Sequence, residues 1–198
     1  MSDVTPDEIL MAAYQAGNEA AFSELFERYA GRVYGFLARR LGDPSLAEDL
    51  YQEAFLRLHR ARSTYDSNRP FRAWLFGIVH NLLTDTLRSH GRAPQTDPVE
   101  TLADAQLATA ASATGADGCY SPDRVASARQ ASHALNRALH ALPSEEATVL
   151  ILARLEGLSY EDIGRILGRT AAATKQLAYR ALKRVRAEMV LSGHEEEL

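Results

Sequence analysis

Apolar residues recur at three- and four-residue spacing almost without interruption from Thr5 to about His90, and no stretch alternates with a period of two for long enough to suggest a sheet. This pattern predicts nearly continuous helix, broken at turn signals such as Leu41-Gly42-Asp43-Pro44 and Asp66-Ser67-Asn68-Arg69-Pro70. Between Pro44 and Arg60, the residues Leu46, Leu50, Ala54 and Leu58 fall four apart. Flanked by Tyr51 and Phe55, they make one wide apolar face. Asp49, Gln52, Glu53, Leu56 and Arg60 fall on the opposite side. On the next helix, from Phe71 to Ser89, the expected core stripe is Phe71, Leu75, Ile78 and Leu82. Gly77, Asn81, Thr84 and Arg88 line the other face, with Trp74 and Asp85 at the border.

From Gly91 to about Asp123 the chain shifts to Ala, Thr, Asp, Gly, Ser and Pro with few large apolar residues, the composition of a flexible linker. Fully extended, roughly 30 residues reach on the order of 100 Å. Helical spacing resumes at Val125, Ala128, Ala131 or Ser132, Leu135, Leu139 and Leu142. "LPSEEATVLILARLEGLS" then supplies a Pro-Ser start, an apolar run and a Glu-Gly stop, and Ser159 to Glu188 reads as two further helices. The predicted fold is all-α: a helical domain over residues 1–92, a linker over 93–123, a second helical domain over 124–192 and an acidic tail over 193–198.

The junction of the last two helices carries chemistry. Ser159 followed by Asp162 forms a capping-box-like start, with Tyr160, Ile163 and Leu167 facing one side. Gly164 is small where a second helix must cross closely. Gly168 supplies the positive φ of a tight interhelical turn, and Thr170 can cap the helix that follows. This is the spacing of a helix-turn-helix. The second helix opens slim and Ala-rich (Ala171, Ala172, Ala173), as entry into a major groove requires. Lys175, Gln176, Tyr179 and Arg180 lie where side chains would reach base edges and phosphates. From Asp162 to Arg186 seven cations follow without a carboxylate. Arg169 and Thr174 stand where such motifs usually bury aliphatic residues, which predicts a looser turn core.

Charge and composition narrow the reading. With 198 residues, 46% hydrophobic and 24% charged, the chain has the balance of a globular protein, and its net charge of -4 gives no bulk attraction to polyanions. Binding to nucleic acid must then come from local patches such as the one after Asp162. The acidic N-terminus and the lack of a long apolar run predict no membrane insertion and a cytoplasmic protein. One cysteine, Cys119, rules out an intramolecular disulfide. The histidines (His59, His80, His90, His133, His140, His194) are scattered, and no metal-ligand spacing, phosphate loop or nucleophile elbow occurs. No catalytic residue, metal or cofactor is expected. Trp74, at the edge of a polar and partly basic face, suits stacking on an unpaired base, or else belongs to the core.

Three stretches, "AFSELFERYAGRVYGFLARRLGDPSLAEDLYQEAFLRLHRA", "FRAWLFGIVHNLLTDTLR" and "LHALPSEEATVLILARLEGLSYEDIGRILG", in this order and around a linker, resemble conserved regions two and four of the sigma-70 family. They match its smallest members, the extracytoplasmic-function (ECF) sigma factors. The resemblance implies a sigma factor that binds RNA polymerase core and recognises promoter DNA in two places. Asp49, Gln52, Glu53, Phe55 and Leu56 match the helix that docks on the clamp helices of the β′ subunit. Tyr65, Asp66, Ser67, Asn68 and Arg69 match the loop that captures an extruded base of the −10 element, and Trp74, Asn81, Asp85 and Arg88 the helix that follows the melting strand. The second domain matches the reader of the −35 duplex, which also meets the β flap. There the matching positions are Arg169, Thr170, Ala172, Ala173, Lys175, Gln176, Tyr179, Arg180 and Lys183. An anti-sigma factor packing between the two domains is a further implied partner. The sequence departs from the family in "LRSHGR", which is poorer in cations than usual, and in the recognition-helix stretch from Ala173 to Tyr179. The competing reading is a stand-alone helix-turn-helix regulator, which would bind duplex DNA tightly by itself and would leave the "DLYQEAF" helix unexplained.

Overall fold

The computed structural model describes residues 5–89 and 133–191, and every regular element among them is helical. In the N-terminal group these are α1 (Asp7–Gln15), α2 (Glu19–Leu41), α3 (Pro44–Ala61), a single 3₁₀ turn (Arg62–Thr64) and α4 (Phe71–Ser89). The C-terminal group holds α5 (133–140), α6 (Ser144–Arg154), α7 (Tyr160–Leu167) and α8 (Ala171–Leu191). The expected linker, Cys119, the apolar positions from Val125 to Ser132 and the acidic tail lie outside the described residues.

Local chemistry accounts for the breaks. Asn18 ends the first turn region by accepting hydrogen bonds from the main-chain N–H groups of Ala20 and Ala21, so α1 and α2 are separate helices and not one. The break between them is one that helical periodicity alone does not reveal. Gly42 closes α2 with a φ of 67°, and Asp43 caps α3 at once, accepting from Ser45 N at 2.9 Å and Leu46 N at 3.2 Å, with Pro44 in the first helical position. Replacing Asp43 by Ala leaves two N–H groups without this acceptor. A loss of about 1 kcal/mol of stability is expected, read as a lowered midpoint in urea unfolding with an unchanged slope.

The N-terminal core is aromatic. Phe26 packs on Phe55 with ring centres 4.8 Å apart, Tyr51 meets Phe55 edge-on, Phe36 meets Phe76, and Tyr29 meets Phe71. On α3 the buried row is Ala47, Leu50, Ala54, Phe55 and Leu58, while Leu46 is only half-buried. On α4 the buried set is Phe71, Leu75, Phe76, Val79, Leu82 and Leu83, and Ile78, expected in the core, is half-buried. The stripe is wider than a single face and rotated from the expected one, because α1, α2 and α3 all pack on α4.

In the C-terminal group, α6 carries an unbroken buried run from Glu146 to Leu152 and packs chiefly on α8, which buries Thr174, Leu177, Ala178, Ala181, Val185 and Met189. Gly157 (φ 66°) provides the turn from α6 into α7. The two groups touch, α4 against α7 and α2 against α6.

Candidate nucleic-acid interface

The helix-turn-helix is built as its sequence spacing predicts. Ser159 Oγ accepts from Asp162 N at 3.1 Å and donates to the Asp162 carboxylate at 2.6 Å, closing the reciprocal cap of α7. Gly168 stands at φ 66° after α7, and Thr170 Oγ1 accepts from Ala173 N to start α8. A Cβ placed on Gly164 would sit 2.6 Å from the main-chain oxygen of Arg169, so α7 and the turn approach more closely than any side chain would permit. The expectation of a loose turn core is not met. Thr174 is fully buried there and its hydroxyl donates to Thr170 O at 3.0 Å, so a polar residue fills the aliphatic place with its hydrogen bond made. Arg169 instead points outward and pairs with Glu145 at 2.5 Å.

One face of α8 is left for a ligand. Ala172, Lys175, Gln176, Tyr179 and Arg180 line a shallow groove, and Tyr179 is 71% exposed. Thr170 and Lys183 are exposed beyond its two ends and Ala173 is half-buried at its edge. The groove thus joins hydrogen-bonding groups with cations, the combination needed to read base edges while holding phosphates.

The second candidate surface is the loop before α4. Asp66 Oδ1 accepts from the main-chain N–H of Asn68 at 3.0 Å and from its side-chain amide at 2.9 Å, and Arg69 N donates to Asp66 O at 2.9 Å. The hydrogen bonds from Asn68 hold the Asp66 carboxyl below its ordinary range, so the turn keeps its anion. From outside the loop, Gln15 Nε2 on α1 donates to the carbonyls of Arg62 (2.8 Å) and Tyr65 (3.0 Å). The loop is therefore preformed. Asp66, Ser67, Asn68 and Arg69 are exposed on it, but Tyr65 is not: only 5% exposed, it donates its hydroxyl to Arg69 O at 2.6 Å and packs on Trp74, ring centres 5.0 Å apart. Tyr65 supports the loop from beneath. Trp74 is half-buried, packed on Tyr65 and Phe71, between the two alternatives the sequence left open. Asn81, Asp85 and Arg88 continue this row along α4 and are exposed.

A third surface lies on α3. Asp49, Gln52 and Leu56 are exposed and Glu53 is half-buried, together forming one outward face on which Leu56 is 50% exposed. Phe55 departs from this set. It is 7% exposed and packed on Phe26 and Tyr51, so it shapes the face from inside. Arg57 links this face to the α4 row, reaching Glu53 at 3.0 Å and Asp85 at 3.8 Å. Gln15 and Arg57 were not among the residues singled out in the sequence, and nothing in their local spacing marks them. Among the described residues there is no group of three or more His, Cys, Asp or Glu placed to hold a metal ion, and no helix is long and apolar enough to cross a membrane.

A helix-turn-helix with a groove of cations and hydrogen-bonding groups, a preformed loop beside an indole and a mixed acidic and apolar helix face, carried by two helical groups, define an all-helical helix-turn-helix protein with two further candidate surfaces. Residues 25–93 match the family description "Sigma-70 region 2" and residues 132–185 match "Sigma-70, region 4". The RNA polymerase sigma factor CarQ of Myxococcus xanthus is 36% identical over 176 residues, covering 89% of this chain and 93% of that protein. The ECF RNA polymerase sigma factor SigW of Bacillus subtilis is 30% identical over 173 residues, covering 87% and 91%. Among solved structures, that of CnrH in complex with the cytosolic domain of CnrY matches with a TM-score of 0.63 and 27% identity, covering 93% of this chain and 97% of that one. The chain belongs to the sigma-70 family of RNA polymerase sigma factors, in its ECF group.

Proposed function

We propose that this sigma factor docks on the β′ clamp helices of RNA polymerase core through Asp49, Gln52, Glu53 and Leu56, meets the β flap with its C-terminal domain, and reads a promoter in two states of DNA. The N-terminal domain (1–92) captures −10 single strand with the loop Asp66–Arg69, supported by Tyr65, and with Trp74, Asn81, Asp85 and Arg88. The C-terminal domain (124–192) reads −35 duplex with the α8 groove, and residues 93–123 join them. The observation that carries the reading is the pairing, on one chain, of a helix-turn-helix groove suited to duplex with a preformed loop and indole edge suited to an unstacked base. Holding a base outside the stack offsets part of the few kcal/mol that unstacking costs, so melting is assisted by binding alone, without catalysis by the factor. The protein works where core polymerase is, in the cytoplasm. Its likeness to CnrH, solved in complex with the cytosolic domain of CnrY, supports a protein partner that binds the factor itself, in keeping with the anti-sigma factor that the family resemblance implies.

Run-off transcription with bacterial core on a pool of genomic promoter fragments, with transcript starts sequenced, tests this. Starts that depend on the protein and share two spaced upstream motifs are expected. No new starts, together with tight duplex binding by the protein alone, would favour the stand-alone regulator. Trp74→Ala is expected to lower those starts by roughly 10- to 100-fold, the worth of about one base stack, while −35 duplex binding is unchanged.

A further inference from the structure

Both ends of the loop before α4 are held by α1, a helix that lies ahead of the residues matched to region 2. At the entry, Gln15 Nε2 donates to Arg62 O at 2.8 Å and to Tyr65 O at 3.0 Å. At the exit, Glu8 Oε1 accepts from Phe71 N at 3.0 Å. That N–H is one of the orphan donors at the start of α4, and Pro70, in the cap position, has no side-chain oxygen for any of them. A carboxylate from another helix takes the place, at the end of α4 where the helix dipole favours an anion. Glu8 and Gln15 are two turns of helix apart, about 10 Å, and so share one face of α1. Met11, fully buried, lies between them on that face. The helix itself is tied down. Asp7 accepts from Arg28 Nη1 of α2 at 2.7 Å and from the Tyr29 hydroxyl, and the Tyr14 hydroxyl hydrogen-bonds with His59 Nδ1 of α3. Within the loop the Tyr65 hydroxyl donates to Arg69 O at 2.6 Å. Burial, with the Glu8 and Asp66 carboxylates nearby, raises that hydroxyl, so it keeps the proton it donates.

The two contacts ask opposite chemistry of their residues. Gln15 must donate to carbonyls, whereas Glu8 must accept from an N–H. A loop whose groups already stand where the edges of a base will be spends none of the binding free energy on ordering them, and selects more sharply among bases. Resting on the two-element reading above, we infer that Glu8 and Gln15 are positioning residues for −10 recognition. They form a clasp on α1 that sets the shape in which Asp66, Ser67, Asn68 and Arg69 meet the extruded base. Neither touches the DNA; both act through the loop.

The full chain has one tryptophan, so the emission of Trp74, packed on Tyr65, reports on the loop without any DNA. Gln15→Glu is nearly isosteric but sets a carboxylate against the two carbonyls, and Glu8→Ala leaves Phe71 N without its acceptor. Each is expected to red-shift that emission and to make it easier to quench with acrylamide. Glu8→Gln keeps an acceptor and is expected to restore the parent's behaviour. The same proteins are then compared by run-off transcription with core on the pool of genomic promoter fragments. Gln15→Glu and Glu8→Ala are each expected to lower the starts about fivefold, the worth of about one net hydrogen bond. They are also expected to relax the base preference in the motif nearer the start, with the farther motif unchanged. A merely structural fault would lower all starts and leave the preference in both motifs as it was. Parent-like emission in Gln15→Glu and Glu8→Ala, an unrelaxed base preference in their starts, or a Glu8→Gln as impaired as Glu8→Ala overturns the clasp. A parent without protein-dependent starts sinks the promoter reading instead, and the emission alone then decides whether α1 holds the loop.

Discussion

Gly164→Val in the full chain is expected to abolish −35 recognition, lowering holoenzyme affinity for −35 duplex by about 100-fold or more while leaving assembly with core intact. The reason is steric and local. A Cβ at this position meets Arg169 O at 2.6 Å and Thr174 Oγ1 at 3.2 Å, and the first of these is main chain that cannot rotate away. The turn cannot retreat either, because Arg169 N donates to Gly164 O at 2.8 Å and Thr174 is anchored on Thr170 O. Relief requires α8 to move relative to α7, which displaces the groove of Lys175, Gln176 and Tyr179 from its register. Overpacking of this kind costs on the order of 1–3 kcal/mol or more, so a lower melting temperature is expected with it. Gly168→Ala is the informative comparison. It suffers only the cost of a left-handed φ, about 1 kcal/mol, with nothing within 4 Å of the new methyl, and recognition is expected to fall far less. Titrating labelled −35 duplex with each holoenzyme separates the two. Equal affinities for parent and Gly164→Val would mean that the close crossing does not set the groove.

What the sequence made legible were features fixed within one turn of chain. The turn at Leu41-Gly42-Asp43-Pro44, the caps at Ser159 and Thr170, the αL glycine Gly168 and the groove residues of α8 all follow from local spacing, because the groups involved lie within a few residues of one another. The break at Asn18 was missed because apolar periodicity runs through it, and the signal is one side-chain oxygen. Phe55 and Tyr65 carried family roles at the surface, yet both are buried by rings brought from distant segments, Phe26 for one and Trp74 for the other. The α4 stripe was displaced for a similar reason, since several neighbours compete for that helix. The ion pair of Glu156 with Arg32 spans 124 positions, and no local pattern encodes it.

Leu56→Arg is expected to break assembly with core polymerase by roughly 30-fold or more, in line with loss of about 2 kcal/mol at a central anchor. Leu56 is half exposed on the outer face of α3, flanked by Asp49, Gln52 and Glu53, and an apolar side chain ringed by polar groups is the common form of such an anchor. The face carries Asp49 and Glu53, so Arg also adds positive charge where a basic partner surface would dock. Little structural cost should accompany it, because the side chain already faces water, and the unfolding free energy is expected to stay within about 0.5 kcal/mol of the parent. Phe55→Ala supplies the contrast. Removing a ring packed on Phe26 and Tyr51 is expected to cost about 3–5 kcal/mol of stability, so weak binding by that variant would report a damaged helix and not a lost contact. Asp49→Asn isolates the electrostatic part: a smaller loss that shrinks as salt is raised, measured by anisotropy of the labelled factor titrated with core. Normal assembly by Leu56→Arg with native stability would move the docking surface off α3, and the outward row of Asp49, Gln52 and Glu53 would then be an ordinary solvated helix face.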